Sequence, residues 1–189
     1  MTASGETSFV GLLLPLPDGG ELRVLQPAES AEVPDDGPVE WAPLVPYWSV
    51  LWRSGVALGR EVAGADLSGK RVVELGCGLG VPSLVAAIGG AKVLATDEDR
   101  EALELLERNA RENGVDVETA RVDWAAPDEL VARGPFDLVL ASDVLYDPSP
   151  AGALLPLLPR LGDEVWLADP GRQAATPWLD WLRDGWSVT

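Results

Sequence analysis

Three glycines at alternate positions, Gly76, Gly78 and Gly80, follow an apolar run that contains one acidic residue, Glu74. Glycine lets a backbone turn approach a ligand closely and adopt dihedral angles that a Cβ atom blocks. The next apolar run ends in a carboxylate, Asp97. In nucleotide-binding sheets, a carboxylate at this place accepts hydrogen bonds from both hydroxyl groups of a ribose. The pattern therefore predicts a site for an adenosine-type cofactor.

The spacing of the glycines distinguishes between cofactors. The dinucleotide fingerprint is G-x-G-x-x-G and places a pyrophosphate at a helix N-terminus, whereas this chain has G-x-G-x-G after Glu74. A negative charge there disfavours a pyrophosphate and suits a cationic amino-acid moiety. S-adenosylmethionine has a sulfonium and an ammonium group and no phosphate, so it fits better than NAD. A turn that serves only close packing of strand and helix is the alternative.

From Lys70 onward, short apolar runs alternate with helical stretches, which is typical of an α/β fold with parallel strands. The predicted strands are 71–75, 92–96, 117–122, 136–142 and 164–168. The predicted helices are 54–64, 81–88, 99–113, 128–132, 150–161 and 176–184. We therefore expect a Rossmann-like, doubly wound, mostly parallel sheet.

An extension is expected before this sheet. Two extended runs, 9–16 and 21–26, flank a Pro-Asp-Gly-Gly turn and predict an N-terminal β-hairpin. The stretch 27–46 is rich in proline and acidic residues and predicts a connector. The two expected parts of the chain are residues 1–46, the hairpin and connector packed on the core, and residues 47–189, a single cofactor-binding domain.

Composition argues against several other classes of function. The chain has 189 residues, with 31 acidic against 14 basic side chains, a net charge of −17, and no His. Nucleic-acid binders need a basic surface, so we expect no nucleic-acid partner. The lack of His and the single Cys77 argue against a metal site and a Ser-His-Asp triad. No segment has the form of a signal peptide or a membrane span, so we expect a cytoplasmic protein that is free of membranes. A monomer is the favoured oligomeric state.

Further motifs follow the glycine turn in a fixed order. They are Glu74-Leu-Gly-Cys-Gly-Leu-Gly-Val-Pro-Ser, Ala95-Thr-Asp97, Asn109-Ala-Arg-Glu-Asn113-Gly114, Val122-Asp123-Trp124 and Asp143-Val144-Leu145-Tyr146. This series resembles the class I (seven-strand) S-adenosylmethionine-dependent methyltransferases, and within them the lysine methyltransferase branch called methyltransferase family 16. Two other segments resemble enzymes that methylate the β-subunit of electron-transfer flavoprotein: Tyr47-Trp48-Ser-Val-Leu-Trp52-Arg-Ser-Gly55 and Asp169-Pro170-Gly171-Arg172.

The resemblance implies a role for each matched residue. On the cofactor side, it implies that the three glycines shape the turn and that Glu74 lies near the amino-acid moiety. Asp97 would hold the ribose, and Asp123 and Trp124 would flank the adenine. Trp48 and Trp52 would close the pocket. Asp143 and Tyr146 would position the acceptor, because open α/β sheets bind ligands at the carboxyl ends of their strands. Asp169 and Arg172 are candidate substrate contacts. Tryptophans also pack in cores, so both roles stay open for Trp48 and Trp52.

The resemblance also implies an activity, which is methyl transfer from S-adenosylmethionine to a lysine of a protein partner, with S-adenosylhomocysteine as product and no metal. The alternatives are N-methylation of a small-molecule amine or pyridine, and a non-catalytic cofactor-binding module. RNA methylation is disfavoured by the charge and by the lack of an Asn/Asp-Pro-Pro-aromatic segment. Enzymes of this class usually finish with a β-hairpin. Because residues 186–189 only begin like a strand, we expect that hairpin to be incomplete.

Overall fold

The structure is a computed structural model that describes residues 8–30, 46–172 and 175–186. A 3-10 helix at Tyr47–Ser49 precedes the first α-helix. The strands are β1 (Phe9–Pro15), β2 (Glu21–Pro27), β3 (Arg71–Leu75), β4 (Lys92–Asp97), β5 (Glu118–Arg121), β6 (Leu138–Ser142) and β7 (Val165–Ala168). The helices are α1 (Arg53–Ala63), α2 (Val81–Ile88), α3 (Arg100–Glu112), α4 (Asp128–Ala132), α5 (Pro148–Leu154), α6 (Leu158–Leu161) and α7 (Thr176–Gly185).

Five parallel strands form the central sheet in the order β5-β4-β3-β6-β7. The chain winds outward from β3 to β5 and then returns to the other side at β6. The boundary between β3 and β6 is thus the topological switch point, where open α/β sheets bind their ligands at the strands' carboxyl ends.

Helices cover both faces of this sheet. Val72 and Val73 are both fully buried, but they belong to two separate core clusters, because successive side chains of a strand point to opposite faces. The first cluster includes side chains of α1, α2 and α3, and the second includes side chains of α4, α5 and α6. Strands buried on both faces are continuous apolar runs, which explains why the sequence predicts them well.

The expected fold class is confirmed, and most predicted elements agree with the structure within two residues. The predicted helix 150–161 is wrong, because this stretch forms two helices, α5 and α6. Pro156 lies between them, and Pro159 lies in the first turn of α6. A proline has no backbone N–H to donate and clashes with the preceding turn, so one continuous helix cannot form there.

The N-terminal hairpin is a separate antiparallel pair that packs on α3. Leu22 and Val24 of β2 are fully buried in the first core cluster. Two amide side chains of α3 extend this contact, because Asn109 bonds both the N–H and the C=O of Leu25, and Asn113 bonds those of Arg23. Most of the predicted connector, 31–45, and the last run, 187–189, lie outside the described residues.

No helix in the described ranges combines the length and the apolar character that a bilayer crossing requires.

Candidate active site

A cleft of about 850 Å³ opens at the carboxyl ends of the central strands. Its walls come from the loops after β3, β4, β5 and β6 and from the segment that precedes α1. The predicted site residues that line it are Trp48, Trp52, Gly76, Gly78, Gly80, Asp97, Asp123, Trp124, Asp143 and Tyr146. The structure therefore brings ten of the predicted residues into one cleft.

The glycine turn needs glycine both for its backbone and for its surroundings. Gly78 and Gly80 have φ angles of 49° and 73°, in the left-handed region that L side chains rarely adopt. A Cβ atom on Gly78 would lie 2.9 Å from the carbonyl oxygen of Trp48, and one on Gly80 would overlap the side chain of Leu106 in α3. The turn thus allows the N-terminal segment and α3 to pack against it while its backbone lines the cleft.

Asp97 lies beside this turn at the end of β4. Its Oδ2 accepts a hydrogen bond from the N–H of Gly78 at 2.9 Å, and its Oδ1 accepts one from the N–H of Asp99, also at 2.9 Å. Burial raises the pKa of this carboxyl group, and the two backbone hydrogen bonds oppose that rise. Each oxygen keeps a second lone pair, so an oriented carboxylate is available for a diol such as ribose.

The wall on the predicted adenine side follows β5. The Oδ1 of Asp123 accepts a hydrogen bond from the N–H of Ala125 at 2.8 Å, which fixes the turn. The indole of Trp124 lies against the glycine turn, because a Cβ atom on Gly76 would be 3.2 Å from its Cζ2. The N–H of Val122 donates to the backbone carbonyl of Asp97 at 2.9 Å and joins this wall to the end of β4. A flat indole in the same cleft as the carboxylate of Asp97 suits an adenosine.

The segment before α1 forms the opposite wall. The Nε1 of Trp52 donates to the carbonyl of Tyr47 at 3.0 Å, which folds the segment back on itself. The ring of Trp48 packs on the first core cluster, and its backbone approaches Gly78. Trp48 therefore serves as core and as cleft wall at once, which is why its sequence leaves both roles open.

Glu74 lies beneath the glycine turn. It is fully buried and is not among the side chains that line the cleft, so its place near the amino-acid moiety stays a prediction. Its Oε2 accepts hydrogen bonds from the backbone N–H of Ser83, at 3.0 Å, and from the Ser83 hydroxyl. The first turn of α2 has N–H groups without intrahelical partners, and the carboxyl group of Glu74 supplies an acceptor for one of them.

Burial dominates the electrostatics of Glu74. It raises the pKa of this carboxyl group from 4.5 to about 8, although the hydrogen bonds from Ser83 act in the opposite direction. The second oxygen, Oε1, is buried and has no hydrogen-bond partner among the described residues. Glu74 therefore shapes the turn from beneath as a largely protonated group at neutral pH.

The predicted acceptor side of the cleft contains Asp143 directly after β6. Asp143 has φ 59°, is 8% exposed, and pairs through Oδ1 with Nη1 of Arg172. Arg172 and Asp169 do not line the cleft themselves. Asp169 instead holds the turn after β7, where its Oδ1 accepts from the N–H groups of Gly171 and Arg172 at 2.7 and 3.1 Å.

Tyr146 lies at the mouth of the cleft with 46% of its surface exposed. Its ring stacks on that of Tyr47, with centroids 5.5 Å apart and an angle of 24° between the planes. Burial raises the pKa of its hydroxyl, and nearby carboxylates, Asp97 first, add to the rise. The hydroxyl therefore stays protonated at physiological pH and is a donor or acceptor, not an anion.

Three features of this site are absent from the predictions. Two of them are contacts between residues that are distant in sequence: the stack of Tyr47 on Tyr146 and the ion pair of Arg172 with Asp143. The ion pair has a sequence signal, because residues that follow neighbouring parallel strands meet at one edge of the sheet. The bond from Ser83 to Glu74 also has one, since Gly80-Val-Pro-Ser marks a helix start whose N–H groups need an acceptor.

The backbone N–H groups at the start of α2 bear on the choice between a dinucleotide and S-adenosylmethionine. A dinucleotide would place a pyrophosphate on the N–H groups of the first turn of α2. The N–H of Ser83 in that turn is already bonded to Glu74. The oriented carboxylate of Asp97, the flat indole of Trp124 and an N–H of this turn that is already bonded suit S-adenosylmethionine better than a dinucleotide. Fold and site together define a Rossmann-like domain whose cleft suits an adenosine cofactor.

A family model described as "Lysine methyltransferase" matches residues 48–165, which is more than half of the chain. The protein therefore belongs to this lysine methyltransferase family. The match begins at Trp48 and ends at the first residue of β7, so it spans the cleft.

Individual proteins agree with this assignment. The chain is 38% identical over 63% of its length to protein N-lysine methyltransferase METTL21A of Danio rerio, covering 58% of that protein. It is 36% identical over 67% of its length to the electron transfer flavoprotein beta subunit lysine methyltransferase of Xenopus laevis, covering 53% of that protein. The chain thus spans little more than half the length of these curated relatives.

Among solved structures, the 16S rRNA N2 G1207 methyltransferase RsmC of T. thermophilus, in complex with AdoMet and guanosine, has a TM-score of 0.65. The alignment covers 93% of this chain and 46% of that one at 17% identity. At this identity the similarity supports the fold.

Proposed function

We propose that the protein transfers a methyl group from S-adenosylmethionine to the side-chain amine of a lysine in a protein substrate. The observation that carries the proposal is that the predicted ribose carboxylate, Asp97, and the acceptor residues Asp143 and Tyr146 line one cleft. The family and the names of the relatives, two of which are lysine methyltransferases, support the same chemistry. The product would be S-adenosylhomocysteine.

The cofactor, when bound, supplies an electrophilic methyl group on a sulfonium. The neutral amine nitrogen forms a bond to the methyl carbon while the carbon–sulfur bond breaks, and the electron pair of that bond stays on sulfur. The protein's contribution to such a displacement is alignment of the two partners and exclusion of water. Trp48, Trp52 and Trp124 provide the apolar walls, and Asp143 provides a carboxylate oxygen that orients the amine.

A protein substrate is favoured over a small amine by the mouth of the cleft. Tyr47 and Tyr146 are 48% and 46% exposed and stacked on each other, so they present an aromatic surface outside the cleft. Aromatic rings with a polar end are common at protein interfaces. A small amine that enters the cleft would leave this surface without a partner.

Labelled S-adenosylmethionine and a lysate of the source organism test the proposal. We expect label in one or a few proteins, located on lysine by mass spectrometry, and no such label with the Asp143→Ala variant. Label found only in small molecules would contradict the protein-lysine proposal and favour the small-amine alternative. Failure of the protein to bind S-adenosylmethionine in calorimetry would contradict methyl transfer altogether.

We also propose that the enzyme acts as a monomer in the cytoplasm. The single cysteine, Cys77, is buried and free, which suits a reducing compartment. Cell fractionation and size-exclusion chromatography with light scattering test both statements, and a dimer or a membrane fraction would contradict them.

A further inference from the structure

Arg172 and Asp143 form an ion pair at the edge of the cleft. The carboxylate side chain of Asp143 is 7% exposed, whereas the side chain of Arg172 is 31% exposed and reaches it from the turn after β7. The guanidinium also lies over the ring of Trp52, 5.6 Å from the ring centroid. Burial lowers the pKa of Arg172, but a guanidinium stays charged in proteins. The acceptor side thus carries a carboxylate that is already neutralised.

A lysine that is to be methylated must first lose a proton, because only the neutral amine has a free electron pair. Free lysine has a pKa of about 10.4. An unpaired carboxylate a few ångströms from the amine raises that pKa by about one to three units, whereas desolvation lowers it. An unpaired Asp143 would therefore bind the ammonium tightly and hold it in the unreactive form.

We propose that Arg172 is a positioning residue that neutralises Asp143, so that an acceptor amine in the cleft gives up its proton and becomes a nucleophile. This inference rests on the proposed function. The proton leaves to water at the mouth of the cleft, and the amine keeps the electron pair that forms the new bond. Arg172 thereby lowers the affinity of the cleft for the ammonium form and increases the fraction of acceptor that is present as the neutral amine.

Other charged and titratable groups face this region and contribute to its field. The groups on the neighbouring loops and walls are Tyr47, Asp97, Glu98, Tyr146, Asp147 and Asp169. Asp169 accepts two backbone hydrogen bonds, and Asp97 is hydrogen-bonded to the glycine turn on the cofactor side. Two arginines that line the cleft have other partners: Arg100 pairs with Glu104 at 3.0 Å, and Arg121 donates its Nε–H to the carbonyl of Glu98 at 2.8 Å. Arg172 is the cation that the described residues show paired with Asp143.

Steady-state kinetics over a range of pH test the proposal with the acceptor protein that the labelling experiment identifies. For Arg172→Gln we expect the KM of the acceptor to fall several-fold. We expect the rise of kcat with pH to move about one unit or more to the alkaline side, which makes kcat about tenfold lower at neutral pH. Arg172→Lys keeps the charge, so it should restore much of the wild-type pH profile.

The matched control is Arg160→Gln, which removes an exposed arginine that pairs with an exposed aspartate, Asp128. It should leave kcat, KM and the pH profile as in the wild type. If Arg172→Gln lowers kcat without moving the profile, or if Arg172→Lys behaves like Arg172→Gln, the inference is wrong and Arg172 has a structural role. If the wild type transfers no methyl group to any acceptor, the proposed function is wrong instead.

Ligand binding gives a second measurement that needs no turnover. In NMR titrations with S-adenosylhomocysteine present, n-butylamine represents the end of a lysine and n-butanol is its uncharged counterpart. We expect Arg172→Gln to bind butylamine several-fold more tightly than the wild type, and Asp143→Asn to bind it more weakly. Binding of butanol should change little in either variant. Equal changes for both probes would contradict the electrostatic explanation.

Discussion

At the scale of single residues, Glu74 links the turn to the pH dependence of stability. Its pKa is raised from 4.5 to about 8 in the folded protein by burial. Between these values the folded chain holds a proton that the unfolded chain has released. The free energy of unfolding therefore falls as pH rises through this window, by up to about 1.4 kcal/mol per pH unit, and levels off above it.

Urea unfolding at several pH values between about 5 and 8 measures this effect. The neutral Glu74→Gln variant should lose most of the decline, and the residual slope should come from other groups such as Asp97, whose pKa is also raised. The control is Glu129→Gln, at an exposed position, which should keep the wild-type slope. A slope in Glu74→Gln as steep as in the wild type would show that Glu74 is not the group responsible.

Asp97 and Asp143 are two carboxylates of one cleft with different predicted partners. Loss of the Asp97 carboxylate removes charge-assisted hydrogen bonds to a ribose, so Asp97→Ala should weaken S-adenosylmethionine binding about tenfold or more. Asp143→Ala should keep this affinity within about twofold while it abolishes transfer. Isothermal calorimetry on both variants distinguishes them. Loss of cofactor affinity in Asp143→Ala would move that residue to the cofactor side.

At the scale of elements, the hairpin depends on the amides of α3. Asn109 is fully buried and bonds both backbone groups of Leu25, so Asn109→Ala leaves two polar groups without partners. We expect a loss of about 2 kcal/mol in the free energy of unfolding. Hydrogen exchange at residues 21–27 should become faster than in the central strands. Arg111→Ala, at an exposed position of the same helix, is the control and should change neither quantity.

The strands and the glycine turn could be predicted from the sequence, whereas two contacts of the site could not. The central strands are predictable because each is a buried apolar run, and the glycine turn is predictable because its backbone excludes other residues. The direction of the Glu74 side chain is not predictable from its strand, because it depends on where the first turn of α2 comes to lie. The Arg172–Asp143 pair is likewise fixed only when β6 and β7 become neighbours.

At the scale of the whole molecule, the net charge of −17 and the neutral pair at Asp143 act over different distances. A negative field attracts a lysine-bearing, basic protein from solution, and salt screens it over about 10 Å at 0.1 M. In the proposed role of Arg172, the attraction ends inside the cleft, because a tightly held ammonium does not react. An acidic surface that attracts the substrate and a neutral ion pair beside the acceptor amine are thus compatible in one protein.

This division predicts how the enzyme responds to salt. For a basic acceptor protein, kcat/KM should fall several-fold when NaCl is raised from about 0.05 to about 0.5 M, while kcat at saturating acceptor should change little, because screening weakens the encounter and not the step within the cleft. An acceptor variant whose surface lysines around the target are replaced by glutamine should lose this dependence. A kcat/KM that is independent of salt for the basic acceptor would show that the acidic surface serves solubility and takes no part in recognition.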